Sequence, residues 1–195
     1  MNYLAHAFIA GPADEFLIGS IMGDFVKGSV DDLFTDRITG GILFHRRVDA
    51  FADSHALSRA SRGLFSPQRR RYAGVILDIC YDHFLSKHWS VYTDGDLAEF
   101  ITRVYAALQR YHDILPARLQ AVLPQMVRQN WLGCYGTLAG VDITLRRIAR
   151  RIRRENSLAE SIGDIRKNYR QLERNFRIFF PDLVDFAKPF TLDWL

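Results

Sequence analysis

The run from Tyr72 to Leu85, Tyr-Ala-Gly-Val-Ile-Leu-Asp-Ile-Cys-Tyr-Asp-His-Phe-Leu, is apolar around the whole circumference of a helix, so the rest of the chain has to fold around it. Two carboxylates, Asp78 and Asp82, interrupt it one turn apart. Burying an ionised carboxylate with no compensating cation costs several kcal/mol. Each therefore needs a metal ion, an arginine or the other carboxylate, and the rest of the sequence favours a metal. His45 and Asp49 repeat the four-residue spacing in Phe-His-Arg-Arg-Val-Asp-Ala-Phe. Asp24 lies in Gly-Asp-Phe-Val-Lys, and His6 in an apolar N-terminal segment. Side chains four apart on a helix converge on one point. Imidazole and carboxylate donors without thiolate suit manganese, magnesium, iron or zinc bound for chemistry, rather than a soft metal or a zinc–cysteine site.

Periodicity close to 3.6 runs through nearly the whole sequence, and alternating strand patterns are almost absent, which predicts an all-α helical bundle. Helices are expected near Glu15–Met22, Ile38–Phe51, His55–Leu64, Arg71–His88, Asp96–Leu115, Pro116–Gln129, Gly133–Arg154 and Leu158–Phe180. Pro116 and Pro124 are read as helix starts. The aromatic tail from Phe179 to Leu195 is expected to pack back on the body or on a second copy. At 195 residues with 48% hydrophobic content, residues 1–195 are expected to form one domain. Cys80 and Cys134 lie far apart, which argues against a disulfide framework and fits a reducing, cytoplasmic setting. No stretch approaches the roughly 18 apolar residues of a membrane span, and no leader pattern opens the chain. An exported or membrane protein is not expected.

The net charge of +4 is concentrated in Leu-Arg-Arg-Ile-Ala-Arg-Arg-Ile-Arg-Arg from Leu145 to Arg154, which carries six arginines in ten residues. On a helix, Leu145, Ile148, Ala149 and Ile152 share one face and the arginines the other. Such a surface is either a solvated face or a dock for an acidic partner. A second basic cluster spans Arg59 to Arg71. Metal ligands beside arginines point to metal-assisted hydrolysis of a phosphoester, with Arg46, Arg47 and Lys27 as the expected phosphate contacts. His45, Asp24, Asp78 and Asp82 are the expected core ligands, with His6 as a further ligand. Asp49 is either a ligand or, like His83, the group that handles the proton.

The motifs Met-Asn-Tyr-Leu-Ala-His6, Gly-Asp24-Phe-Val-Lys-Gly, His45-Arg-Arg-Val-Asp49-Ala-Phe-Ala-Asp53-Ser-His and Leu-Asp78-Ile-Cys-Tyr-Asp82-His83-Phe-Leu-Ser-Lys-His88-Trp89 resemble the acyl carrier protein phosphodiesterase family, a divergent branch of the HD-domain phosphohydrolases. The resemblance implies hydrolysis of the diester joining 4′-phosphopantetheine to a serine of holo acyl carrier protein, with a divalent metal such as manganese. It also implies that Arg146, Arg147, Arg150, Arg151 and Arg154 dock the acidic carrier. Phe8 stands where the family motif often has a second histidine, so only His6 inherits a role there. Two other functions fit the same residues. One is an HD-type phosphohydrolase acting on a nucleotide such as an alarmone. The other is a non-enzymatic helical module for an acidic partner; nucleic acid is disfavoured because the basic run lacks interleaved stacking aromatics.

Overall fold

A computed structural model describes residues 1–30 and 33–191; Leu192 to Leu195, the end of the aromatic tail, lie outside the described residues. All regular structure among the described residues is helical. In chain order the helices are α1 (Tyr3–Ile9), α2 (Asp14–Met22), α3 (Asp36–Ser54), α4 (Ala56–Arg62), α5 (Ala73–Lys87), α6 (Trp89–Tyr92), α7 (Leu97–Arg110), α8 (Ala117–Arg128), α9 (Trp131–Cys134), α10 (Leu138–Arg151), α11 (Ser161–Lys167) and α12 (Tyr169–Thr191). The all-α expectation holds. Among the described residues no helix is long and apolar enough to cross a membrane. Cys80 and Cys134 are free thiols, as their spacing suggests.

Local chemistry sets several of the ends. The Thr35 hydroxyl accepts from the Ile38 amide at the start of α3, Asp96 caps α7 through Glu99, and Thr137 caps α10 through Gly140. Pro124 does not begin a helix. It lies inside α8, where Leu119, Leu123 and Met126 are buried and packing outweighs the missing amide. Likewise α12 runs through Pro181 and Pro189, pinned by buried Phe176, Phe179, Phe180 and Leu183. The segment expected as one helix from Leu158 to Phe180 is instead a short 3-10 turn followed by α11 and α12. The described part of the aromatic tail packs on the body: Phe186 stacks on Phe51, with ring centroids 4.4 Å apart.

The α5 run is the core as expected: Ile76, Leu77, Ile79, Cys80, Tyr81, Phe84 and Leu85 are buried. Tyr81 and Phe84 meet Phe176 and Phe179 of α12. The most extensive helix pair is α2 with α3. Their backbones touch because Gly19 and Gly41 face each other. A Cβ on Gly41 would run into the Phe16 carbonyl and come within 2.8 Å of the Ser20 nitrogen.

Helix α1 has no counterpart among the expected elements. It is seven residues long and has no side-chain cap within its own segment. Its cap comes from α5: Leu4 and Ala5 donate their backbone N–H groups to Asp82 Oδ2 and Oδ1 at 2.9 and 3.0 Å. Asp82 is fully buried. Burial pushes its carboxyl up and the two amides pull it back, leaving it at about 7. Replacing it by alanine orphans two buried amides, each costing about 1–3 kcal/mol. Asp82→Ala is therefore expected to lower Tm by roughly 4 °C or more, and an unchanged thermal melt would refute the capping role.

Candidate functional site

Side chains from α1, α3 and α5 and from the turn after α2 build the site. His6 comes from α1, His45 and Asp49 from α3, Asp78 from α5, and Asp24 from just past α2. The i, i+4 spacing on α3 does what it predicts: His45 Nε2 lies 3.1 Å from Asp49 Oδ2. His6 reaches the other oxygen, with Nε2 3.2 Å from Asp49 Oδ1. The two imidazoles stack with centroids 3.8 Å apart. His45 can stand this close to α2 because Gly23 has no Cβ; one placed there would run into its ring.

His6, His45 and Asp49 each offer a ligand atom, all within 4.8 Å of one another. Asp24 Oδ1 lies 3.6 Å from His45 Nε2. His45 Nδ1 donates to the Ser20 carbonyl at 2.7 Å, which fixes the ring and aims Nε2 at the carboxylates, the arrangement that orients a metal-ligating histidine. His6 is fully buried, yet its Nδ1 has no partner. Two buried imidazoles and a cluster of carboxylate oxygens, with no thiolate, fit a borderline or hard divalent ion.

The Met1 ammonium also sits in this cluster, 2.9 Å from Asp49 Oδ1 and 3.3 Å from Asp78 Oδ1. Burial alone would lower its pKa, but Asp78 and Asp49 lift it to about 11. The histidines diverge for related reasons. Burial and the neighbouring His45 push His6 down to about 4, whereas in His45 burial is outweighed by Asp24 and Asp49, which raise it to about 9. Burial opposes ionisation of Asp49, but hydrogen bonds from His45 and His6 hold it far below the usual carboxylate range.

The cluster opens into a cleft of about 450 Å³ lined by Met1, Tyr3, Asp24, Asp78, Arg118 and Arg151, among others. Asp24 and Asp78 are 44% and 36% exposed there. Arg151 belongs to the arginine-rich helix expected from the sequence, so the cationic helix α10 forms one rim of the acidic cleft. Arg118 lies in the first turn of α8 and has no sequence signal of its own. Asn2 and Tyr3 were also outside the expected set.

Other expected site residues are placed elsewhere. Asp82 spends both oxygens on the cap of α1. His83 donates from Nδ1 to the Tyr135 carbonyl at 2.7 Å and pairs through Nε2 with the Tyr169 hydroxyl at 2.9 Å, and it does not line the cleft. Arg46 donates to the Val26 carbonyl, and Arg47 lies over the Phe190 ring. Lys27 is exposed and does not line the cleft. Helix α10 ends at Arg151, so Arg154 lies beyond it, and Arg146 is bound to Asp142 in the preceding turn.

Comparison with known proteins agrees with the motifs. The family model for acyl carrier protein phosphodiesterase matches residues 1–183. The protein named acyl carrier protein phosphodiesterase in Yersinia enterocolitica is 35% identical over 189 residues, covering 96% of this chain and 98% of that protein. Those of Serratia proteamaculans and Photorhabdus laumondii, which bear the same name, are 34% and 36% identical, each over 96% of this chain and over 98% and 96% of their own lengths. No solved structure matches. With a family model over nearly its whole length and relatives aligned almost end to end, the chain belongs to the acyl carrier protein phosphodiesterase family.

Proposed function

We propose that the protein is a metal-dependent phosphodiesterase that releases 4′-phosphopantetheine from holo acyl carrier protein and leaves the apo carrier. The observation that carries this reading is the convergence of His6, His45 and Asp49 within 4.8 Å beside a cleft rimmed by arginines. His6, His45 and Asp49 would hold a divalent ion, manganese in the first instance, with Asp24 and Asp78 within reach as further ligands. The chemistry such an ion supplies is acidification of a water molecule and neutralisation of phosphoryl charge.

The chain's own residues do the rest. Arg151 and Arg118, across the cleft from the acidic cluster, bind the phosphodiester oxygens and replace Arg46 and Arg47 in that role. Asp24 and Asp78 face the cleft, whereas Asp49 would be taken up, with the two histidines, in holding the ion. The proton from the attacking water therefore goes to Asp24 or Asp78, and neither Asp49 nor His83 is needed for it. His45 is locked by Ser20 and His6 by its burial, so neither ring must reorganise as charge develops.

Chelator-stripped protein incubated with holo carrier, with and without manganese, tests the reading by intact mass. Loss of one phosphopantetheine mass only when metal is present is the expected result; an unchanged carrier overturns it.

The outward arginines serve a different step. Arg150 and Arg154 are exposed and line neither cavity, which suits an acidic carrier held by charge. Reversing both to glutamate is expected to raise KM for the carrier roughly tenfold at low salt, with the effect shrinking as salt rises, and to spare bis(p-nitrophenyl) phosphate. Arg151→Glu is expected to lower turnover of both substrates, because it removes a phosphate contact. Equal losses from the outer pair on the two substrates would contradict docking.

A further inference from the structure

Beside the acidic cleft lies a second, smaller cavity of about 90 Å³ between α1 and α10. Asn2, Tyr3, Ile148 and Arg151 line both, so the two spaces adjoin. Trp131 and Tyr135 complete its aromatic walls, and Thr144 adds a hydroxyl. These walls are fixed. Asn2 donates its amide to the Tyr135 hydroxyl at 2.7 Å. The guanidinium carbons of Arg147 and Arg151 lie 5.9 and 5.3 Å from the Trp131 ring centroid, holding the indole between them and α9. Thr144 donates to the Gly140 carbonyl at 2.9 Å, which leaves its oxygen able to accept.

We propose that this cavity is the slot for the uncharged pantoyl end of the prosthetic arm, the branched, hydroxyl- and amide-bearing segment attached directly to the phosphate. The proposal rests on the substrate assigned above and adds which side of the diester goes where. A phosphate held by Arg151 in the cleft has the slot beside it, because the same arginine lines both spaces. A chemical group there must be small, uncharged and partly apolar to lie against Tyr3, Ile148 and Trp131, yet able to hydrogen-bond toward Asn2 and Thr144. The pantoyl head has that composition. A folded carrier with its serine backbone cannot enter so small a space and stays at the open cleft, against the outer face of α10. The arm, which keeps the phosphate, and the carrier, whose serine oxygen takes up a proton as its bond to phosphorus breaks, are thus separated by the row Arg147 and Arg151.

Calorimetric titration of the full chain in manganese with three probes tests this: 4′-phosphopantetheine, inorganic phosphate and adenosine 5′-monophosphate. Phosphopantetheine is expected to bind at least tenfold more tightly than either of the others. Thr144→Phe, which fills the slot, and Trp131→Ala, which removes its wall, are each expected to collapse that preference to within about twofold, with circular dichroism confirming the fold of at least one. Equal affinity for phosphopantetheine and phosphate in the wild type, tighter binding of the nucleotide, or a preference that survives both substitutions overturns the slot. These outcomes are independent of turnover: a protein that prefers phosphopantetheine but leaves the carrier intact contradicts the assigned reaction and keeps the slot.

Discussion

Asp49→Ala is expected to abolish phosphopantetheine release and to weaken manganese binding by more than the roughly 10–100-fold that loss of a residue merely supporting a ligand costs. Three partners lose their acceptor at once. Asp49 Oδ1 takes the Met1 ammonium at 2.9 Å and His6 Nε2 at 3.2 Å, while Oδ2 takes His45 Nε2 at 3.1 Å. His6 is left worst placed, since its Nδ1 is already without a partner and the ring is completely buried. The measurement is a manganese titration of the purified variant followed by electron paramagnetic resonance, alongside intact-mass assay of holo carrier. Asp49→Asn keeps the volume and removes the charge, so it separates loss of a ligand from loss of packing. Wild-type manganese affinity and turnover in both variants would remove Asp49, and with it the cluster, from the site.

Gly41→Ala is expected to cost about 3 kcal/mol or more, at the upper end of overpacking effects. For a chain of this length that lowers Tm by roughly 6–12 °C. Helix propensity points the other way, favouring alanine by about 1 kcal/mol, so the sign of the result is decisive. The added methyl would meet the Phe16 carbonyl, the Ser20 nitrogen and the Gly19 Cα, all backbone atoms that no rotamer change can move aside. The helices must separate, and the separation carries into the site. His45 lies one turn beyond Gly41, and its Nδ1 hydrogen bond ends on the Ser20 carbonyl of the opposing helix. Thermal denaturation followed by circular dichroism checks the stability, and manganese affinity of the folded variant checks the coupling. A melt that is unchanged or raised would show that the α2–α3 approach tolerates a side chain.

The sequence carried the helical class and the donors on α3, because both depend on local spacing. His45 and Asp49 face the same point for the reason any two residues four apart do. Asp78 and Asp82 have the same spacing, yet the structure divides them: Asp78 faces the cleft and Asp82 faces the start of α1. That division depends on a helix 78 residues away in sequence that has no cap of its own, and no local pattern announces it. The cleft-lining arginines proposed as phosphate contacts are hard to single out for the same kind of reason: Arg118 carries no signal, and Arg151 reads from the sequence as a carrier contact. Arg46 and Arg47 neighbour a ligand along the chain, whereas Arg118 and Arg151 reach the cleft only because α8 and α10 are folded against it. The cationic helix was legible from composition; that it forms the rim of the acidic cleft was not.

On the proposed reading, the capping of α1 by Asp82 makes ion binding and the docking of one short helix a single equilibrium. Seven residues do not hold a helix in water unaided, so α1 persists only while it is seated on α2 and α5, and His6 is at hand only for that fraction of the time. The apparent affinity of the cluster for an ion would be its intrinsic affinity scaled by the seated fraction. Anything that loosens Asp82 is then felt as a weaker ion, and any ion that His6 helps to hold clamps the first turn of the protein in place.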